Sequence, residues 1–203
     1  MTAEPTTRPQ SEAGAQRWPQ PPQDGWTVND LLTLPDLPPH TEMIDGSLVF
    51  VSPQRRFHSA MIFLLRTGLR AAVPPEWKVD SEMAVVIDRR NCPEPDVLVV
   101  RADAVTSRTQ TSYPVADVLL AIEVVSPDSE SLDRDTKPHK YAAAGIEHFW
   151  LVEMEGEDDH AVVRVYELDP VAKTYTCTGM HRDRLDISAP FPIDIDLTAI
   201  DEM

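Results

Sequence analysis

Val118-Leu119-Leu120-Ala121-Ile122-Glu123-Val124-Val125 and, further on, Phe149-Trp150-Leu151-Val152 decide how this chain folds. Runs this apolar read as strands covered on both faces. Between them, Lys137–Ala144 reads as a helix, because Pro138 suits a first turn and Gly145 suits the residue just past the end. Working outward, Val97–Val100 is a strand behind Pro95-Asp96, and Met83–Ile87 is a shorter one. Residues 56–73 are an amphipathic helix: Phe57, Met61, Leu64, Leu65 and Leu69 share one stripe, Arg66 and Arg70 lie on another face, and Pro74-Pro75 ends it. Asp45-Gly46 between two short apolar runs (Glu42–Val51, closed by Pro53) signals a tight hairpin, since both turn positions need positive φ. Thr27-Val28-Asn29-Asp30 has the spacing of a capping box, opening a short helix that stops near Pro35. Val162–Leu168 and Lys173–Gly179, joined at Asp169-Pro170, form a peripheral hairpin. The order is that of an α/β fold, a mixed sheet with helices packed on it.

The chain has 203 residues and a net charge of −16. That length predicts one domain with appendages. At 42% hydrophobic residues it can bury a core, and no apolar run is long enough to be a membrane helix. Residues 1–25, rich in Pro and Gln and poor in large aliphatics, are expected to be a disordered leader to a domain over 26–203. They lack the basic and apolar regions of a secretory signal. Cys92 and Cys177 make neither a zinc cluster nor a disulfide framework, which points to a reducing, cytoplasmic setting. The acidic balance argues against a protein that coats nucleic acid non-specifically. It leaves open a local basic groove or a metal-dependent nuclease.

Two carboxylates stand at the ends of apolar runs: Asp96 before Val97, and Glu123 within Val118–Val125. With a period of two, Glu123 shares a face with Leu119, Ala121 and Val125. A charged Glu there is costly unless it is paired or binds a cation. Two readings fit these residues. If the strands are neighbours, Asp96 and Glu123 converge on a hard-oxygen site for Mg²⁺. Alternatively, the strand end opens to solvent or Glu123 is salt-bridged to a helix Lys.

The stretch from Ser126 to Ile146 continues Ser-Pro-Asp-Ser-Glu-Ser-Leu-Asp-Arg-Asp-Thr-Lys-Pro-His-Lys-Tyr-Ala-Ala-Ala-Gly-Ile. Together with Pro95-Asp96-Val97, Phe149-Trp150-Leu151-Val152-Glu153 and Glu42-Met43-Ile44-Asp45-Gly46, it resembles the Uma family of restriction-endonuclease-like proteins, within the PD-(D/E)XK nuclease superfamily. The resemblance covers about residues 27–190. It implies a restriction-endonuclease-like mixed β-sheet flanked by helices. It also implies hydrolysis of DNA phosphodiester bonds with Mg²⁺, for which Mn²⁺ can substitute. By the same resemblance Asp96 and Glu123 are metal ligands. Val125 stands where the superfamily usually has Lys, and the family places its Lys on the following helix, matching Lys137, with Lys140 the fallback. Glu42 matches a family acid at the hairpin start, and His58 a family His on the long helix. A homodimer is implied by analogy alone.

Plainer readings stand beside these. Glu42 also suits an exposed strand edge, His58 a hydrogen-bonded helix histidine, and Tyr141 simple packing with a satisfied hydroxyl. Asp133 and Lys137, spaced i,i+4, suit a surface ion pair. Ser126 has no nucleophile elbow around it, and His181-Arg182-Asp183 lacks the glycine-rich loop a kinase needs. Arg55, Arg56, Arg66, Arg70, Arg89, Arg90 and Arg134 suit either a basic rim or scattered solvated charges. The absence of a Lys two residues after Glu123 and the charge of −16 suit an inactive nuclease-fold module that binds nucleic acid or a protein partner.

Overall fold

The computed structural model describes residues 20–51, 53–156 and 160–203. Most of the expected leader, residues 1–19, lies outside the described residues. Trp26 already belongs to the folded part: its N–H donates to the Gly46 carbonyl at 2.8 Å.

Helix α1 (Val28–Thr33) opens on the expected capping box, with Thr27 and Asp30 each bonding the other's backbone. Strands β1 (Glu42–Ile44) and β2 (Ser47–Val49) pair around Asp45-Gly46, both at positive φ, as a two-residue hairpin turn requires. The second strand ends before Pro53 is reached. Helix α2 (Arg56–Ala72) is followed by β3 (Trp77–Ser81), β4 (Ala84–Val86), β5 (Val97–Arg101), β6 (Ser112–Pro114) and β7 (Val118–Val124). A π-helical turn, Leu132–Thr136, runs directly into α3 (Lys137–Ala144), which ends at Gly145 in the left-handed conformation. Strands β8 (His148–Glu155), β9 (His160–Asp169), β10 (Thr174–His181), β11 (Arg184–Ile187) and β12 (Ile193–Asp196) follow, then a 3₁₀ turn, Leu197–Glu202.

Six strands form the central mixed sheet in the order β10-β9-β8-β7-β5-β3. Only β7 and β8 run parallel, so α3 is their crossover helix. The β9–β10 hairpin is the outer end of this sheet. Apolar clusters cover both faces, as the continuous runs predict. One gathers Val97, Val99, Ile122, Trp150 and Val152 beneath α2 and β12. The other gathers Leu98, Ala121, Tyr141 and Phe149 on the α3 side. Gly68 lets α2 settle on β12: a Cβ there would lie 2.5 Å from both Cγ1 and Cδ1 of Ile195.

Three details depart from the sequence reading. Strand β3, an edge of the central sheet, is unforeseen, although Trp-Lys-Val-Asp-Ser alternates as a half-buried strand does. β4 lies outside that sheet and pairs in parallel with β6. A bulge between Val99 and Val100, opposite Leu119, breaks the period of two. Leu119 therefore joins the α2-side cluster, while Ala121 and Val125 remain on the α3 side with Glu123.

Candidate active site

β5 and β7 are antiparallel neighbours, with Val97 opposite Ile122, so Asp96 and Glu123 meet at one end of the sheet. Asp96 clamps that end. Its Oδ2 accepts the Val124 N–H at 2.6 Å, and its Oδ1 lies 3.0 Å from His58 Nε2, in the first turns of α2. Glu123 is 1% exposed. Its Oε1 accepts the Tyr141 hydroxyl at 2.6 Å and its Oε2 accepts Lys137 Nζ at 3.0 Å.

Lys137 is the hub. Its ammonium also lies 2.9 Å from Glu42 Oε1 and 3.2 Å from Asp133 Oδ1. Asp133, Lys137 and Tyr141 are spaced by four along the π-helical turn and α3, so their side chains share one inward face. Glu42 reaches the hub from the β1–β2 hairpin and also accepts the Glu94 N–H at 3.0 Å. The Ser129 hydroxyl donates to Asp133 Oδ2, while Asp133 Oδ1 finds no hydrogen-bond partner of good geometry beyond the ammonium.

Several expectations change here. Glu42 is buried at 3% exposure rather than an exposed strand-edge residue. Asp133 and Lys137 form a buried pair rather than a surface one. Lys140 points elsewhere: its Nζ bonds Asp45 Oδ1 at 2.7 Å, at the hairpin turn. Of the two readings open for Glu123, the helix-lysine salt bridge is realised, with Asp96 close by as well. Sequence reasoning did not foresee the roles of Ser129 and the Glu94 N–H. Only the i,i+4 spacing of Ser129 and Asp133 hinted at them.

Four carboxylates thus face one ammonium and one imidazole, around a cleft of about 40 Å³ also lined by His40, Glu82 and Glu94. Burial pushes the Glu123 carboxyl well above the usual range, Lys137 opposes the shift, and Asp133, Asp96 and Glu42 add to it. Burial likewise raises Asp133, with Lys137 opposing. For Lys137, burial disfavours the ammonium, but Glu123, Glu42, Asp133 and Asp96 outweigh it and hold the pKa well above the ordinary value. Lys137 is therefore a fixed cation rather than a proton acceptor.

The donor set fits a hard divalent cation: every acid offers oxygen donors, and a bound cation would offset the burial that disfavours their ionised forms. Among the described residues no three acid, His or Cys groups are gathered as a finished metal shell. Lys137 itself holds the point where Glu42, Glu123 and Asp133 meet.

No protein of curated function matches the chain. Among solved structures, a protein of Anabaena variabilis described as "a putative nuclease belonging to DUF820" shares the fold. The two are 18% identical, with a TM-score of 0.64 over 87% of this chain and 97% of the other. The family model described as "Putative restriction endonuclease" matches residues 28–199, and the chain belongs to that family, Uma2.

Proposed function

We propose that the chain is a divalent-metal-dependent endonuclease that hydrolyses DNA phosphodiester bonds at the Asp96–Glu123–Lys137 cluster. One observation carries the reading: a buried acid and a buried lysine, 3.0 Å apart, line one cleft with a second acid. Asp96 and Glu123, with the Val124 carbonyl, would hold Mg²⁺, or Mn²⁺ in its place. The bound ion supplies Lewis acidity and lowers the pKa of a water. Lys137 places fixed positive charge where the phosphorane becomes more negative, in a site too dry to screen it. Attack proceeds in line with the leaving 3′ oxygen. His58 orients Asp96, and Tyr141 and Glu42 orient Glu123 and Lys137.

Cleavage of plasmid and single-stranded DNA in Mg²⁺ or Mn²⁺, with identically purified Glu123→Gln protein as control, tests this. Wild type is expected to cut, and the variant to lose at least a hundredfold in rate while staying folded. Full activity in the variant would refute the assignment. A second reading, a nuclease-fold module that binds without cutting, is supported by the closure of Lys137 onto three acids. Failure of both proteins to cut any DNA in either metal would favour it. The two free thiols suit a cytoplasmic setting. A homodimer would follow if sedimentation gave twice the chain mass.

A further inference from the structure

Residues 46–75 contain no Asp or Glu, in a chain where about one residue in six is acidic. Most of this acid-free stretch is α2 and its approach. Helical spacing places Arg56, Ser59, Phe63, Arg66, Thr67 and Arg70 within one arc of about 100°, opposite the buried stripe of His58, Met61, Leu65 and Leu69. Arg56 and Arg70 are exposed, and Phe63 between them is 62% exposed. Among the described residues Arg55, Arg56 and Arg70 have no ion-pair or side-chain hydrogen-bond partner, whereas Arg134, Arg164, Arg182 and Arg184 are all paired to acids. Arg66 is only loosely held, 3.9 Å from Asp80, with its Nε unpartnered.

The charges are also placed against local stability. Arg55 and Arg56 sit at the N-terminal end of α2, which has no side-chain cap and no acid in its first turn. Cations there oppose the helix dipole, an arrangement that a bound anion would relieve. The same end of the helix touches the candidate active site. His58 lines the carboxylate cleft, and also, with Arg55, Phe57 and an Arg134 that is paired to Glu130 and Glu153, an adjoining cavity of about 170 Å³.

We infer that the outer face of α2 is the nucleic-acid docking surface, and that it carries a phosphate backbone along Arg70, Arg66 and Arg56 into the cleft at Arg55 and His58. The ridge from Arg56 to Arg70 is about 21 Å long, or roughly six base-pair steps. Phosphate is the occupant that fits: α2 itself carries no acid, Arg56 and Arg70 are unpaired and Arg66 is held only by a distant Asp80, while the molecule as a whole is strongly negative. Phe63 adds an apolar contact for sugar or base. This rests on the proposed nuclease reading for the identity of its ligand.

The test reads binding, not cleavage. Fluorescence anisotropy of a labelled 30-base-pair duplex and the matching single strand is measured in EDTA with the full chain, its Arg56→Gln/Arg70→Gln variant and a charge-matched Arg108→Gln/Lys173→Gln control. The ridge variant is expected to bind about tenfold or more weakly, and its log–log salt slope to fall by about two, while the control matches the parent. Three outcomes would overturn the inference: equal binding by the ridge variant, equal weakening in both variants, or no DNA binding by the parent. So would parent binding to phosphatidylserine vesicles in place of DNA. Because cleavage is not read, an uncutting protein that still loses DNA with the ridge would sink the nuclease reading alone. A cutting protein whose ridge variant binds normally would sink this one alone.

Discussion

Glu123, Asp133 and Lys137 are among the groups that contribute to the pH response of the molecule. Burial raises the carboxyl pKa of Glu123 and Asp133, as it does that of Glu94. Folding therefore favours their protonated forms. Their contribution is fully present below the unfolded carboxyl range, near pH 4, and is lost as pH rises through the folded values. Lys137 is shifted upward too, so its contribution persists until pH exceeds the ordinary lysine value. Without divalent cation, the melting temperature should fall between pH 5 and pH 8, and fall less steeply in Glu123→Gln. The comparison of the two proteins cancels the opposite effect of His148, whose imidazole is held down by burial. Calorimetry in EDTA checks this, and parallel curves would show that Glu123 ionises as it does in water. At this scale the sequence already singled out three residues that the fold brings to one cleft. Asp96, Glu123 and Lys137 stand out by residue type and by family pattern. The burial of Glu42 and Asp133 could not be read, because an i,i+4 ion pair or a strand-start Glu looks the same in sequence whether or not other elements close over it.

The two helices illustrate what local pattern settles and what it does not. Both end as their prolines and glycine demand, and α2 shows its apolar stripe in any helical projection. The π-helical turn before α3 leaves no comparable mark, yet it sets the angle at which Asp133 meets Lys137. The Leu119 bulge was likewise hidden, since it depends on pairing with β5, whereas the alternation of Trp77-Lys78-Val79-Asp80 is itself a strand signal. The seat of α2 on β12 is more exacting than its stripe suggests. Gly68→Ala gains about 1 kcal/mol of helix propensity but drives a methyl into Ile195, a clash of about 1–3 kcal/mol. The expected result is a lower urea midpoint. Ile195→Ala should then cost less in the Gly68→Ala background than in wild type, and additivity within 0.3 kcal/mol would show that the helix shifts freely.

Across the whole molecule, three apolar clusters lie at separate places: one on each face of the central sheet, and a smaller one joining α1, the β1–β2 hairpin and Cys92. Cys92 reports on that smaller unit. It is fully buried, its thiol is pushed up to about 12 chiefly by burial, and it bridges to Met43. Cys177, exposed on β10, is expected to react with a thiol reagent at once, and Cys92 only on unfolding. If the molecule is one cooperative unit, the urea midpoint for Cys92 labelling will equal that for tryptophan fluorescence. An earlier midpoint would show that the unit holding Glu42 opens first.

The dispersal of the cleft residues has a consequence for biosynthesis. Glu42, His58, Asp96, Glu123 and Lys137 come from five different elements, and α2, which carries His58, rests on β12 at residues 193–196. A growing polypeptide thus contains every acid long before it contains the surface that aligns them. On the proposed nuclease reading, competence would arrive as a late event of translation, and a ribosome-bound or prematurely terminated product would hold the acids of the cleft without the arrangement needed to cut DNA.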